Sequence, residues 1–386
     1  MVMSSAIPEG FKNEAFILYD KMEARLSPHP NPPEPGPNGN YFQQFEFFLS
    51  SANFICIEVL IRSLSVGICG SDLHYMHDMA LGNIKVTSPI VLGHEASGQV
   101  VAVGSKVSKF KPGDRVCYEP SITCRRCEYC LRQEYNLCIV AVTTCPPYNG
   151  SLTHYYNHHE DFVYKIPDNV SAEEGALIEP LTIAVYAAKR GDLTVGDRML
   201  ILGSGPIGLL MVMMGKVYGC TRTVITDIRE DRLAIAKELG ADETILVDRS
   251  WSEDETIAEI RKRFDGDLPN KCYECSGIEK NFRLSFRATK ANGTCILVGM
   301  GPTEILLPIA DAANREVIIK SVHRSKGCFP LSIELAAQKK VNLTKLVTHR
   351  FTLKEAAKAF ETGFKGEGCK VMIKVGEDTM NAADTE

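Results

Sequence analysis

Between Met199 and Asp227 the chain alternates in a way that few folds accommodate. Met199-Leu-Ile-Leu202 suits a strand buried on both faces, and Gly203-Ser-Gly-Pro-Ile-Gly208 follows at once. Leu209–Tyr218 is an apolar helical stretch, and Thr223-Val-Ile-Thr226 reads as the next strand, ending at Asp227. Each glycine of the turn has a task. Gly203 permits the tight turn, Gly205 lets backbone approach a pyrophosphate, and Gly208 lets the helix pack close to the strand. The helix N-terminus favours the negative phosphates. Asp227, 19 residues after Gly208, is placed to accept hydrogen bonds from an adenosine ribose and to repel a 2′-phosphate, which favours NAD over NADP. Arg229 and Arg232 support the opposite reading, since an arginine can welcome that phosphate. The plain alternative is a glycine turn beside a solvent-facing aspartate. The strand–turn–helix context weighs against it.

The alternation continues downstream. Arg232–Leu239 is helical with Gly240 as its C-cap, and Ile245-Leu-Val247 is a strand. Ser252 and Glu255 form a capping box before a helix with Ile257, Ile260 and Phe264 on one face. Lys271–Cys275 and Thr294–Val298 are further strands. Strands alternating with helices predict a parallel, doubly wound sheet of the Rossmann type. The chain before it is different. From Glu58 it reads as short strands and turns, with Lys111-Pro-Gly-Asp114 suited to a type II turn, so a β-rich domain is expected there. Lys370-Val-Met-Ile-Lys374 reads as a strand returning to that first domain.

Fourteen cysteines would suggest disulfides in a secreted protein, and metal binding or burial in a reducing compartment. Cys124, Cys127, Cys130 and Cys138 lie on one short loop among charged residues. Four thiolates suit a closed tetrahedral zinc site that shapes the lobe and leaves no position for substrate. The alternative is a cluster of free thiols. A second set is dispersed: Cys69 in Gly67-Ile-Cys-Gly-Ser-Asp-Leu-His-Tyr75, His94 and Glu95 after Gly93, and Glu179 before Pro180. A thiolate, an imidazole and a carboxylate make three ligands of an open zinc site with room for water or an alcohol. Singly, each has a bland reading as a buried thiol, a core histidine or a helix-start carboxylate. Their company with a dinucleotide site and a four-cysteine loop favours the metal.

Composition excludes other classes. The net charge of −5 gives no general attraction to nucleic acid or an anionic membrane. No apolar run approaches the roughly 18–20 residues that span a bilayer. The N-terminus lacks a secretory pattern, and Asn381–Glu386 carries no peroxisomal or retention signal, so a cytoplasmic protein is expected.

At GICGSDLHY, VLGHEASG, the four-cysteine loop, EEGALIEPL, GSGPIG, VITDIREDRL and LVTHRF, the sequence resembles the zinc-dependent medium-chain dehydrogenases, most closely their sorbitol (L-iditol 2-)dehydrogenase branch. The resemblance covers about residues 14–38 and 58–376. It implies a GroES-like catalytic domain over residues 1–180, with a structural zinc loop at 124–138. An NAD-binding Rossmann domain over 181–321 interrupts it, and the chain returns to the catalytic domain over 322–386. It implies oxidation of a polyol of the sorbitol, L-iditol or xylitol type to a ketose, with hydride transfer to NAD and with two zinc ions, one catalytic and one structural. A homotetramer or homodimer is implied, with no nucleic-acid or membrane partner. By position, Cys69, His94 and Glu95 match catalytic zinc ligands, and Asp72 matches the group that orients His94. Glu179 matches a carboxylate beside the metal's open position. Whether Glu95 or Glu179 binds the metal directly stays open. Ser71 and His74 match a proton path to solvent, while Tyr75, Glu179 and Arg324 match substrate contacts. Gly203, Gly205, Ile207, Gly208, Asp227, Arg232, Val298-Gly299-Met300 and Val322-His323-Arg324 match cofactor contacts. Another zinc-dependent alcohol or threonine-type dehydrogenase is the alternative, as is an inactive paralogue.

Two departures stand out. In Val322–Pro330 the residues Ser325 and Phe329 replace those usual in the family, and the wall near Thr143–Pro147 is altered, so chain length and stereochemistry of the polyol are open. Residues 39–57 have no counterpart. They hold six aromatics and neither Lys nor Arg. This is either translated non-coding sequence or a genuine insertion that packs on a surface or at an interface.

Overall fold

The computed structural model describes residues 7, 11–30, 57–82, 84–139, 141–143 and 148–377. The segment 39–57 lies outside the described residues except for Ile57. So do residues 31–38 and residues 144–147 of the altered wall. The chain divides into two compact units. One takes the residues up to Glu179 and those from His349 onward, and the other runs from Pro180 to Thr348.

The first unit is built on a seven-stranded sheet whose central strand is Glu58–Gly67. Val59, Leu60, Ile61, Leu64 and Val66 along it are all 2% exposed or less. Burial of side chains of this kind stabilises by roughly 1.5–3 kcal/mol each. One edge of this strand pairs antiparallel with Glu95–Val103. The other edge is shared. Tyr155–His159 takes its first half, and Lys370–Lys374 takes Ser65, Val66 and Gly67. The returning strand read from the sequence therefore closes on the sheet, next to the residues that lead to Cys69. The core beneath contains Phe16 and Phe360, whose rings stack at 5.0 Å.

The second unit carries a six-stranded parallel sheet. Its spatial order is Glu243–Leu246, Arg222–Asp227, Arg198–Leu202, Lys271–Glu274, Thr294–Leu297 and Ile318–Ser321. The strand order reverses between Arg198–Leu202 and Lys271–Glu274, which is the place where such sheets open a crevice for ligands. Local signals hold where they can be compared. Ser252 Oγ accepts from Glu255 N–H at 3.2 Å, and Glu255 Oε2 accepts from Ser252 N–H at 2.8 Å. Gly240 ends its helix at φ 101°, and Gly113 sits at φ 95° in the Lys111–Asp114 turn. The sixth strand was not apparent from the sequence. Residues 322–348, read there as part of the return, pack with the second unit. The Asn342 N–H reaches Met213 Sδ at 3.2 Å, and Lys345 pairs with Glu238 at 2.7 Å.

Candidate metal centres and dinucleotide site

The first centre grows from three local events. The strand Glu58–Gly67 ends, and Cys69 becomes the N-cap of the helix Gly70–Asp78. Asp72 Oδ2 accepts from the Cys69 N–H at 3.0 Å, which completes that cap. Its other oxygen accepts from the Gly93 N–H at 3.2 Å and stands 3.4 Å from His94 Nδ1. One carboxylate thus fixes the backbone at Cys69 and the ring of His94 together, and Glu95 follows as the first residue of its strand. The donor atoms of Cys69, His94 and Glu95 all lie within 4.8 Å of one another. A soft thiolate, an imidazole braced by an outer carboxylate and a hard carboxylate at this spacing fit a zinc ion.

Electrostatics agree with the geometry. Burial would raise Asp72, but the charge of His94 and the two backbone N–H groups bring it below the usual carboxylate range. Burial alone would lower His94. Asp72 and the Cys69 sulfur outweigh it and raise it well above its ordinary value. Such a proton is one that a metal displaces on binding. Glu179, on the first turn of Ile178–Arg190, is pushed up to about 7 chiefly by burial, with Glu95 adding to the push and His94 opposing it.

The other residues of this set are placed as follows. Ser71 is buried and its Oγ lies 3.4 Å from His94 Nε2. His74 is half exposed and turns to Asp78 at 3.3 Å. Tyr75 is 2% exposed, within the core of the unit. Two charged residues escaped the sequence reading. Lys370 is buried against both oxygens of Glu95, at 2.8 and 2.6 Å. The alternation of Lys370-Val-Met-Ile-Lys374 was its only signal, since it puts Lys370 on the face of the buried Met372. Glu119, pushed up to about 7 by burial, accepts from the hydroxyls of Tyr135 and Tyr164 at 3.3 Å each, and Glu179 works against its ionisation.

The second centre is the four-cysteine loop. Donor atoms of Cys124, Cys127, Cys130 and Cys138 also lie within 4.8 Å of one another. Backbone N–H groups point at the sulfurs, from Cys127 to Cys124 Sγ at 3.3 Å and from Cys124 to Cys138 Sγ at 3.4 Å. Hydrogen bonding, led by the backbone of Cys130, lowers Cys127 to about 6, while burial pushes Cys130 up to about 12. Arg125, at φ 60°, anchors the loop to Asp161 at 2.5 Å and to His159 at 2.9 Å. A closed set of four sulfurs fits a structural zinc.

In the second unit the glycine turn has the close fit that the motif requires. A Cβ on Gly208 would lie 1.9 Å from the Gly203 carbonyl oxygen, and Gly205 faces open space. Asp227, at the end of its strand, accepts from the Ser204 N–H at 2.6 Å and the Arg229 N–H at 2.9 Å. The Arg229 guanidinium is turned onto Asp231 at 2.7 and 3.0 Å. Ile207 lies in the first turn of the following helix, Pro206–Tyr218, and Arg232 lies in the first turn of Glu230–Leu239. Val298 and Gly299 both donate to the Glu274 carbonyl at 2.9 Å, and Met300 is exposed. Val322, His323 and Arg324 follow the sixth strand, with Arg324 at φ 54°.

Comparison with known proteins agrees with both units. Residues 57–168 match the alcohol dehydrogenase GroES-like domain and residues 206–338 the zinc-binding dehydrogenase domain. The chain is 42% identical over 371 residues to the sorbitol dehydrogenase of Gallus gallus, covering 96% of this chain and 98% of that protein. It is 41% identical over 383 residues to that of Bos taurus, covering 98% and 100%. With that of Homo sapiens the identity is 41%, covering 96% and 98%. Among solved structures, an oxidoreductase/dehydrogenase of unknown specificity from Escherichia coli superposes with TM-score 0.82 at 33% identity, over 95% of this chain and all of that one. The 2R,3R-butanediol dehydrogenase of Bacillus subtilis does so with TM-score 0.80 at 27% identity, over 94% and 100%.

Proposed function

Because the chain belongs to the zinc-dependent medium-chain dehydrogenases, we propose that it oxidises a polyol of the sorbitol type to a ketose and passes the hydride to NAD. The observation that carries this reading is the meeting of Cys69, His94 and Glu95 within 4.8 Å. Zinc held there supplies a Lewis acid that polarises the substrate hydroxyl and eases loss of its proton. The chain's own residues do the rest. Asp72 keeps the imidazole oriented. Ser71, beside His94 Nε2, takes the proton, and His74 at the exposed face of the same helix passes it to solvent. Glu179, buried and near 7, holds or releases a proton at neutral pH. Glu179 and Tyr75 of the first unit are candidate substrate contacts, as is Arg324 of the second. Gly203, Gly205, Ile207, Gly208 and Asp227 hold the dinucleotide, with Arg232 and the segments 298–300 and 322–324. The pairing of Arg229 with Asp231 supports NAD over its 2′-phosphorylated form. The four-cysteine loop holds the second, structural zinc.

The assembly is a homodimer or homotetramer. The edge strand Ile318–Ser321 supports this, since its Ile318 and Ile319 are 47% and 41% exposed. The compartment is the cytoplasm. No disulfide joins the described cysteines, which supports a reducing environment, and no helix among the described residues is long and apolar enough to cross a membrane.

The decisive experiment is NADH production over sorbitol, xylitol, L-iditol, ribitol, L-arabinitol, threonine and simple alcohols, with NAD and NADP in parallel. Polyols with NAD are expected to be fastest. Turnover confined to threonine or simple alcohols would overturn the substrate class. Cys69→Ala is expected to abolish turnover and to lower bound zinc from two ions to one. Wild-type turnover by that variant in metal-stripped buffer would overturn the site.

A further inference from the structure

Glu274 ends the strand Lys271–Glu274 at the place where the order of the parallel sheet reverses. It is 0% exposed, and a carboxylate so enclosed needs donors. The backbone just beyond it supplies them. Oε1 accepts from the Ser276 N–H at 2.8 Å and from the Gly277 N–H at 3.0 Å, and the Ser276 hydroxyl donates to the same oxygen. The Gly277 N–H also reaches Oε2 at 3.2 Å. Burial pushes this carboxyl up, while these bonds and the Gly299 backbone work against the rise. The main-chain carbonyl of Glu274 takes the N–H groups of Val298 and Gly299 at 2.9 Å each. One residue thus binds the turn after its own strand and the turn after the next strand, Thr294–Leu297.

The two turns lie so close that a side chain on either glycine would collide. A Cβ on Gly277 would lie 2.1 Å from the Met300 carbonyl oxygen. One on Gly299 would lie 2.3 Å from the Gly277 nitrogen and 2.4 Å from Glu274 Oε2. A Cβ on Gly203 would lie 2.9 Å from Ser276 Cβ, so the joined turns also abut the glycine turn. Topology says which part of a dinucleotide they meet. Gly203–Gly208 and Asp227 follow strands on one side of the reversal and suit the pyrophosphate and the adenosine ribose. Residues 276–277 and 298–300 follow strands on the other side, which leaves them the nicotinamide half.

We propose that Glu274 is a positioning residue for the cofactor, whose carboxylate holds the turns at 276–277 and 298–300 together in the shape that receives the nicotinamide ring. This rests on reading the second unit as a dinucleotide site, and deepens it. The competing account is a buried polar hub that matters only for folding.

The test uses the zinc-loaded full chain and two probes, NADH and ADP-ribose, which lacks the nicotinamide. Glu274→Gln keeps the shape of the side chain and replaces one acceptor oxygen by a donor, facing N–H groups that need an acceptor. Binding of both probes is measured by calorimetry. Relative to wild type, Glu274→Gln should weaken NADH about tenfold, as loss of one hydrogen bond to a charged group does, and ADP-ribose by less than about twofold. Ser276→Ala removes the hydroxyl donor and leaves the carboxylate, and should weaken NADH about threefold with the same selectivity. Amide hydrogen exchange at 276–278 and 299–300 should quicken in both variants. Equal weakening of the two probes, or wild-type affinity for both, would overturn the proposal, even if melting temperatures fall. Should Glu274→Gln fail to fold, Ser276→Ala decides alone by the same criterion. A wild-type chain that binds neither probe would overturn the dinucleotide reading instead, which separates the two failures.

Discussion

At the scale of single residues, the first centre shows how few side chains set a site. Asp72 uses one oxygen for the cap of a helix and the other for the Gly93 N–H beside His94. The same economy leaves other carboxylates costly. Glu58 is 4% exposed, its Oε2 has no hydrogen-bond partner among the described residues, and burial pushes it up to about 7 from 4.5. The folded chain then binds a proton that the unfolded chain has released. Its contribution is fully present below pH 4.5 and is lost as pH rises through 7. Glu58→Gln should therefore raise thermal stability relative to wild type at pH 8, by about 3 kcal/mol at most, and have little effect at pH 4.5. Paired melting curves at the two pH values check this. The sequence displayed Cys69, His94, Glu95 and Asp72 because glycines and neighbours frame them in short motifs. Lys370 was hidden. A lysine at the start of a short strand reads as solvent-facing until its partner, 275 positions away, is known.

At the scale of elements, what could be read was what local chemistry enforces. The capping box at Ser252, the C-cap at Gly240 and the glycine turn at 203–208 each satisfy backbone groups within a few residues. They were legible for that reason. Ser252→Ala should cost about 1 kcal/mol and lower the melting temperature without changing turnover, as the loss of one cap does. Urea titration with an activity assay checks both parts. Two elements whose identity depends on distant pairing were not legible. Tyr155-Tyr-Asn-His-His159 alternates poorly and looks polar, yet Tyr155, Tyr156, His158 and His159 are all 8% exposed or less beside the central strand. The sixth parallel strand, Ile318-Ile-Lys-Ser321, is short and sits at an edge.

At the scale of the whole molecule, the change from a β-rich to an alternating pattern was visible near residue 180, where the packing also changes hands. The second crossing was harder. After residue 321 the helix Phe329–Ala337 carries no period that names its host, and the second compact unit runs on to Thr348. The exposed edge at Ile318–Ser321 belongs to this scale too. Ile319→Lys should shift the assembly toward single chains, measured by light scattering behind size exclusion, with the zinc content unchanged. An oligomer as stable as wild type would move the contact elsewhere.

The strand Lys370–Lys374 closes the sheet begun by Glu58–Gly67 only after some three hundred intervening residues. A ribosome delivers the chain in order, and a unit folds once its own parts have emerged. The continuous stretch from Pro180 to Thr348 is complete before that strand has left the exit tunnel. The older half of the molecule must wait, with Cys69 and His94 already synthesised but Glu95 still lacking its cation. Closure of the sheet beside Cys69 is thereby deferred to the end of synthesis.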